Sequence, residues 1–445
     1  MLLIKNGTIV DPVENTLYRA DLQIAEGKIT GIIREGEAAP AQTQEHINIE
    51  ETETIDAEGL LIAPGLADTH VHFREPGFTH KEDITTGAAA AARGGFTEIV
   101  LMANTKPPVD NEETLSYVLS RGRETGIHIE SCANVTLGMA GEELTDMEKL
   151  AKAGAAGFTD DGIPLLDEAI VRKAMEKAKS LHKPISFHEE NPGMIANNGI
   201  NAGKASEFYG IGGSPREAEI SLVKRDLELA LATGAEVVIQ HISTKEAVAL
   251  LREAKAKGAN VHGECTPHHF TLTEEAAMEK GTLAKMNPPL REEADRLALI
   301  EGLKDNTIDL IATDHAPHAR KEKEKPITEA PSGIIGLETA LSLGIRELVD
   351  KGRLTMPQLI ERMSAAPCRL YGLSGGRIEE GGAASLVLFH PKETWKVLEF
   401  ASRSSNSPFI GWELPGVVHY TICDGKVVYS LFPEKGEPHE KETEQ

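Results

Sequence analysis

Residues 60–74 read LLIAPGLADTHVHFR. The first part of this run is almost wholly apolar, and the rest carries Asp68, His70, His72 and Arg74. A short apolar run bounded by polar turn residues is the pattern of a strand buried on both faces. It predicts a strand over Leu60–His72 with its chemistry at the far end. His70 and His72 are two apart, so on a strand they point to the same side. Two imidazoles on one face can hold one cation.

The same pattern returns at intervals along the chain. Further strands are predicted at Phe96–Asn104, His128–Asn134, Gly154–Asp161, Pro184–His188, Glu236–His241, Asn260–Cys265 and Ile308–Asp314. Helical periodicity falls between them, at Thr85–Arg93, Glu112–Arg123, Leu166–Leu181, Arg216–Thr233, Lys245–Lys257 and Arg291–Lys304. Strands alternating with helices imply a parallel sheet. Eight such units within residues 60–375 imply an α/β fold of the (β/α)8 TIM-barrel type. An open doubly wound sheet is the rival, weakened by the lack of GxGxxG after the first strand.

Both ends of the chain look different from the centre. Leu2–Ile4, Thr8–Val10, Asp21–Ala25, Lys28–Ile33 and Thr54–Asp56 read as strands, as do Ser385–Phe389, Trp395–Val397, Val417–Ile422 and Lys426–Tyr429. Turn signals such as Asp424-Gly425 separate them. One small β-sandwich domain, built from residues 1–59 and 376–432 and flanking the barrel, accounts for both. Residues 36–53 are polar, acidic and loop-like, and the charged tail 433–445 is expected to be disordered.

Composition excludes some partners. A net charge of −24 argues against nucleic acid and against an anionic membrane, both of which call for Lys and Arg. No run approaches the roughly 20 apolar residues of a membrane span, and the N-terminus lacks a signal peptide's apolar core. Cys132, Cys265, Cys368 and Cys423 are scattered, with no CxxC pair, so neither disulfides nor a Cys-type zinc site is expected. A cytoplasmic enzyme fits these features.

In a barrel of this type the active site lies at the C-terminal ends of the strands. There the sequence places His70, His72, Arg74, Asn104, Asp160, Asp161, His188, His241, Asp314 and His318. Imidazole and carboxylate together suit zinc, with bonds of about 2.0–2.2 Å. Each residue taken alone has a plainer reading: one histidine can be a hydrogen-bonded polar group, and Asp161 or Asp314 can cap a turn. Those readings strain when four histidines and two carboxylates all fall at strand ends of one barrel. His262, His268 and His269 are taken as structural or supporting. His182 and His128 lie away from the strands' C-terminal ends, and Glu189 and Glu190 receive no chemical role. The charge run 320–325 reads as a solvated mobile loop, and 319–331 could also close as a lid.

The motif Asp68-Thr-His70-Val-His72-Phe-Arg74-Glu-Pro-Gly resembles the signature of dihydroorotases, within the amidohydrolase superfamily. So do Met102-Ala-Asn104-Thr, Phe158-Thr-Asp-Asp161-Gly, Phe187-His188-Glu-Glu, Asn287-Pro-Pro-Leu290, Ala312-Thr-Asp314-His-Ala-Pro-His318 and Ser332-Gly333-Ile-Ile-Gly336-Leu-Glu338-Thr. The likeness spans nearly the whole chain and is to the class I, bacterial type. It implies two zinc ions per subunit. His70, His72 and Asp314 would hold one, His188 and His241 the other, with Asp161 between them where many superfamily members carry a carboxylated lysine. Strand alternation lets only one of Asp160 and Asp161 face the metals, and the family pattern chooses Asp161.

The resemblance implies a reversible reaction: N-carbamoyl-L-aspartate closes to L-dihydroorotate with loss of water, a step in pyrimidine biosynthesis. Water between two divalent cations ionises near neutral pH. Asp314 would act as general base and then general acid. Arg74 would clamp the unreactive carboxylate through its planar fork. His72, Asn104, Asn287, His318, Ser332 and Gly333 match the family's other substrate contacts.

Dihydropyrimidinase or hydantoinase and allantoinase are the enzymatic alternatives. Arg74 and the Asp161 bridge favour dihydroorotase, because those relatives usually show a lysine on strand 4 and lack this arginine. An inactive scaffold for aspartate carbamoyltransferase is the non-enzymatic alternative, disfavoured because every ligand position is filled. A homodimer and a complex with that transferase are both compatible with the sequence.

Overall fold

The computed structural model describes residues 1–37 and 53–432. Most of the acidic stretch 36–53 and the whole tail 433–445 lie outside the described residues.

The chain opens with β1 (Leu2–Asp11), β2 (Thr16–Ala25), β3 (Lys28–Arg34), β4 (Glu53–Asp56) and β5 (Leu61–Pro64). It closes with three strands that follow the central domain, at Leu386–Lys396, Glu413–Cys423 and Lys426–Ser430. All eight join in one sheet, in which Leu386–Lys396 lies antiparallel to β5 and so unites the two ends of the chain. The far edge comes back on itself. Lys28 at the start of β3 bridges Ala383, just ahead of Leu386. The sheet thus wraps an apolar cluster that includes Ile4, Ile9, Leu22, Ile24, Ile62, Leu386 and Leu388. The expected Asp424-Gly425 turn has both residues at positive φ, 46° and 75°. That is the backbone of a two-residue hairpin whose twist matches its strands.

The central strands are β6 (Leu66–Val71), β7 (Phe96–Leu101), β8 (His128–Ser131), β9 (Phe158–Thr159), β10 (Ile185–Phe187), β11 (Val237–Ile239), β12 (Val261–Cys265) and β13 (Leu310–Ile311). They form two sheets, β6-β7-β8 and β9-β10-β11-β12-β13, with every pairing parallel. Single parallel bridges, Ala133 with Phe158 and Val71 with His315, link the sheets at both edges. The architecture is therefore mixed α/β with parallel sheets. The three strands after it are named β14 (Leu386–Lys396), β15 (Glu413–Cys423) and β16 (Lys426–Ser430).

The predicted strand Leu60–His72 is in fact two. β5 pairs with β1 and β14, whereas β6 pairs with β7, so residues 61–64 belong to the terminal sheet. The exchange of partners falls at Pro64-Gly65, where a Cβ on Gly65 would run into the Thr97 side chain. Several central strands end earlier than predicted. The backbone turns to positive φ at Arg74 (60°), His241 (32°) and Asp314 (49°), which leaves the ladder and swings these side chains toward one mouth.

The predicted helices form at Ile84–Arg93, Glu112–Gly122, Glu168–Ser180, Arg216–Thr233, Lys245–Ala256 and Glu293–Lys304. Asp83, Asn111, Asp167 and Thr244 cap four of them by accepting first-turn backbone N–H bonds. Val171, Ala174, Met175 and Ala178 show the buried stripe that seats Glu168–Ser180 on the sheet. No helix among the described residues is long and apolar enough to cross a membrane.

Candidate active site

His70, His72, Asp161, His188, His241 and Asp314 come together at the ends of their strands, and all six are buried. His70 Nε2 lies 3.4 Å from Asp161 and 3.5 Å from Asp314. His72 Nε2 lies 3.0 Å from Asp314 Oδ1 and 3.4 Å from Asp161 Oδ2. His188 Nδ1 and His241 Nε2 approach Asp161 Oδ1 at 3.6 and 3.8 Å and are 2.8 Å from each other. Asp161 is central to the group.

The neighbouring Asp160 faces away, as strand alternation requires. Its Oδ1 accepts bonds from the Asn134 side chain and the backbone N–H groups of Val135 and Thr136. Burial raises the carboxyl of Asp161, yet the charge of His70 and the neighbouring imidazoles of His188 and His241 outweigh it and hold the group well below the usual range. Burial likewise opposes ionisation of Asp314, and His70 and His72 overcome it to lower its pKa. Both carboxylates are ionised at neutral pH.

Two buried ring atoms, His70 Nε2 and His241 Nδ1, have no hydrogen-bond partner. The His70 Nε2 contacts are too long for good hydrogen bonds. They match the roughly 3.3 Å edge expected between ligands that share one cation at about 2.0–2.2 Å. His70–His72–Asp314 and His70–Asp161–His241 each bring their ligand atoms within 4.8 Å of one another. The donor set fits divalent cations.

Supporting residues orient the rings. Asn104 joins two members of the cluster: its Oδ1 is 2.9 Å from His72 Nδ1 and its Nδ2 donates to Asp161 Oδ2 at 3.2 Å. His188 Nε2 is 3.1 Å from the Asn287 amide and 3.6 Å from Glu190. Asp68 ties the first and last central strands together by accepting from His70 N and Thr313 N.

Sequence reasoning missed Glu264, whose Oε1 sits 2.7 Å from His70 Nδ1. The signal existed, since Glu264 is the next-to-last residue of the predicted strand Asn260–Cys265, which carries no expected site residue. His268 and His269 are buried, and His269 reaches Thr266 Oγ1 and the Pro288 carbonyl.

Every expected site residue except His70 lines one cavity of about 240 Å3, which Gly162, Asn198 and Ala316 complete. Arg74 donates from Nε to the Pro317 carbonyl at 3.2 Å and is among the residues that line this cavity. His318 Nε2 donates to the Ser332 carbonyl at 2.8 Å, and its Nδ1 accepts from Lys81 at 3.3 Å. Burial, then the charges of Arg74, Lys81 and Lys323, press the His318 pKa down to about 2, so the ring is neutral. Asn198, also unforeseen, accepts from Ser332 Oγ at 2.7 Å.

Against the expectation of a solvated mobile loop, the charge run 320–325 is partly buried. Arg320–Lys323 is a helical turn, and Lys323 is buried. Its Nζ donates to the carbonyls of Pro331 (2.9 Å) and Gly333 (3.0 Å). Lys285 Nζ does the same for Ile327 and Ala330. Three-donor ammonium groups satisfy loop carbonyls that would otherwise be buried without partners. A polar run in sequence cannot reveal which lysine turns inward.

A parallel β/α domain with imidazoles and carboxylates gathered at its strand ends suits several hydrolytic classes, and its relatives mark the chain as a cyclic amidohydrolase. Solved structures agree. The L-hydantoinase (dihydropyrimidinase) of Arthrobacter aurescens matches with a TM-score of 0.84 and 25% identity, covering 96% of each chain. The dihydropyrimidinase of Brevibacillus agri NCHU1002 matches at 0.81 and 24%, covering 96% of this chain and 94% of that one.

Sequence relatives narrow the class. The chain is 53% identical to a dihydroorotase of Clostridioides difficile (strain 630), over 97% of this chain and all of that one. It is 48% identical to those of Clostridium acetobutylicum and Lactococcus lactis subsp. lactis, over 96% of this chain and 99% of each. The family described as Dihydro-orotase-like matches residues 59–247. The chain belongs to the dihydroorotase family.

Proposed function

We propose that this protein interconverts N-carbamoyl-L-aspartate and L-dihydroorotate, as a zinc enzyme of pyrimidine biosynthesis. The observation that carries the reading is that Arg74 opens into the same cavity as the His/Asp cluster. A guanidinium beside the reacting centre suits a cyclic amide that bears a carboxylate. Identity favours the same reading, at 53% to a dihydroorotase against 25% to a hydantoinase.

His70, His72 and Asp314 would hold one zinc, and His188 and His241 a second, with Asp161 bridging. Bound there, such ions supply Lewis-acid chemistry, polarising a carbonyl oxygen and acidifying water. The protein's own groups do the rest. Asp314, ionised at rest, takes the proton of the attacking water at a carboxylate oxygen and delivers it to the departing ring nitrogen. Arg74 fixes the substrate carboxylate, with Asn104 and neutral His318 beside it. Asn287, Ser332 and Gly333 face the ring amide edge. Burial of the cluster strengthens each of these interactions.

We propose the fold as a (β/α)8 barrel closed through the Ala133–Phe158 and Val71–His315 bridges, with a two-layer β domain wrapped from both termini. Its four cysteines are free and buried, which suits a cytoplasmic setting. A homodimer, and a complex with aspartate carbamoyltransferase, remain part of the proposal. So does closure of 319–331 over substrate; ligand-independent proteolysis of that loop would remove it.

The decisive experiment is turnover of L-dihydroorotate by zinc-loaded protein, beside Asp314→Ala, with dihydrouracil, hydantoin and allantoin as competitors. Preference for dihydroorotate and a dead variant support the reading. Preference for dihydrouracil or hydantoin overturns the role of Arg74. No turnover by metal-loaded protein favours the scaffold.

A further inference from the structure

We propose that His128, Cys423 and Asp424 form an accessory site for zinc or a similar divalent cation, at the seam between the central domain and the terminal sheet. His128 begins β8 and so lies at the end of that strand remote from the active site. Cys423 is the last residue of β15, and Asp424 opens the hairpin turn after it. Their ligand atoms lie within 4.8 Å of one another, and His128 Nε2 is 2.8 Å from Asp424 Oδ2.

Imidazole, thiolate and carboxylate are the donor types that bind zinc. Tetrahedral bonds of ordinary length place such donors about 3.3–3.8 Å apart. The 2.8 Å between His128 Nε2 and Asp424 Oδ2 is shorter than that, and Asp424, whose side chain is 53% exposed, has solvent beside it into which to draw back.

The surroundings supply what metal ligands require. Glu98, only 2% exposed, places Oε1 at 2.8 Å from His128 Nδ1. This is the carboxylate–histidine pairing that fixes the tautomer and turns Nε2 toward a metal. Ser374 Oγ donates to the same Glu98 oxygen at 2.7 Å. Ser385 Oγ donates to Cys423 Sγ at 3.8 Å and accepts from Asp424 N at 3.3 Å, tying two ligands to one hydroxyl. A cavity of about 420 Å3 lined by Glu98, His128 and Ser374 brings solvent up to this histidine–carboxylate pair.

A bound ion would cross-link β8 to the β15–β16 hairpin, far from the cavity that holds the substrate. The plainer reading is an interdomain ion pair of His128 with Glu98 and Asp424. That reading needs no thiol, so the sulfur discriminates.

The test uses the full-length protein loaded with Co2+. Thiolate ligation produces a sulfur-to-cobalt charge-transfer band in the near-ultraviolet, and no cysteine is among the proposed active-site ligands. The band should appear in the wild type and vanish in Cys423→Ser, with turnover retained. An absent band, or one that survives Cys423→Ser, overturns the proposal. Should that variant not fold, Asp424→Asn serves, because asparagine tolerates the positive φ of this turn. It should weaken the cobalt titration of the band by about 10-fold or more; an unchanged titration also overturns the site. Dihydroorotate turnover is read separately, so failure here leaves the proposed function untouched.

Discussion

Glu264 Oε1 stands 2.7 Å from His70 Nδ1, and the same carboxylate oxygen accepts the His241 backbone N–H at 3.2 Å. One buried side chain thus sets the tautomer of one proposed ligand and the backbone of another. The contact with Glu264 at Nδ1 turns the His70 Nε2 edge toward the centre of the cluster.

Glu264→Gln should therefore weaken metal binding without removing a ligand. Outer partners of metal-bound histidines are worth about 10- to 100-fold in affinity. Competition of the purified variant with a chelator of known affinity measures this. Retention equal to wild type would show that His70 needs no such orientation.

Arg74→Met removes the proposed carboxylate clamp and keeps much of the side-chain volume. Loss of a charged hydrogen bond of about 1.5–3 kcal/mol predicts a roughly 10- to 100-fold fall in kcat/KM for dihydroorotate. Dihydrouracil lacks the carboxylate, so its kcat/KM should barely change. Equal losses for both substrates would mean that Arg74 is structural.

The neutral ring of His318 has a consequence for acid stability. Its folded pKa is pressed to about 2, below the ordinary imidazole value of 6.5. Between those values the unfolded chain binds a proton that the folded chain does not. Stability must therefore fall as pH drops below about 6.5, at up to about 1.4 kcal/mol per pH unit from this residue. Urea unfolding of wild type and His318→Asn between pH 5 and 7.5 should show a shallower slope in the variant. Parallel slopes would contradict a depressed His318.

Gly65→Val should destabilise the fold at the seam between the terminal sheet and the central strands. The new side chain would meet Thr97, where β5 ends and β6 begins. Overpacking of this kind costs about 1–3 kcal/mol, readable as a lower urea midpoint. An unchanged midpoint would show that the Pro64-Gly65 junction has slack.

Lys323→Met leaves the Pro331 carbonyl without its ammonium donor. Because Pro331 precedes Ser332 and Gly333, the cavity wall should loosen. KM for dihydroorotate is expected to rise several-fold with little change in kcat. A variant with wild-type KM would separate this loop from substrate binding.

The sequence alone determined the alternation of strand and helix, the β-rich ends and the residues that meet at the active site. Those features are local. Apolar runs and side-chain period announce a strand, and a histidine or aspartate at its end is visible without knowing its neighbours. Tertiary structure decided what depends on distant partners. The run 60–72 is uniformly apolar, yet it divides at Gly65 because β14 claims one half and β7 the other. Glu264 earns its role only because it lies against His70, 194 residues away in the chain. Lys323 looks like any surface lysine in a charged run until carbonyls brought in by the fold surround it. Such contacts follow from chain closure over long separations, which no local pattern encodes.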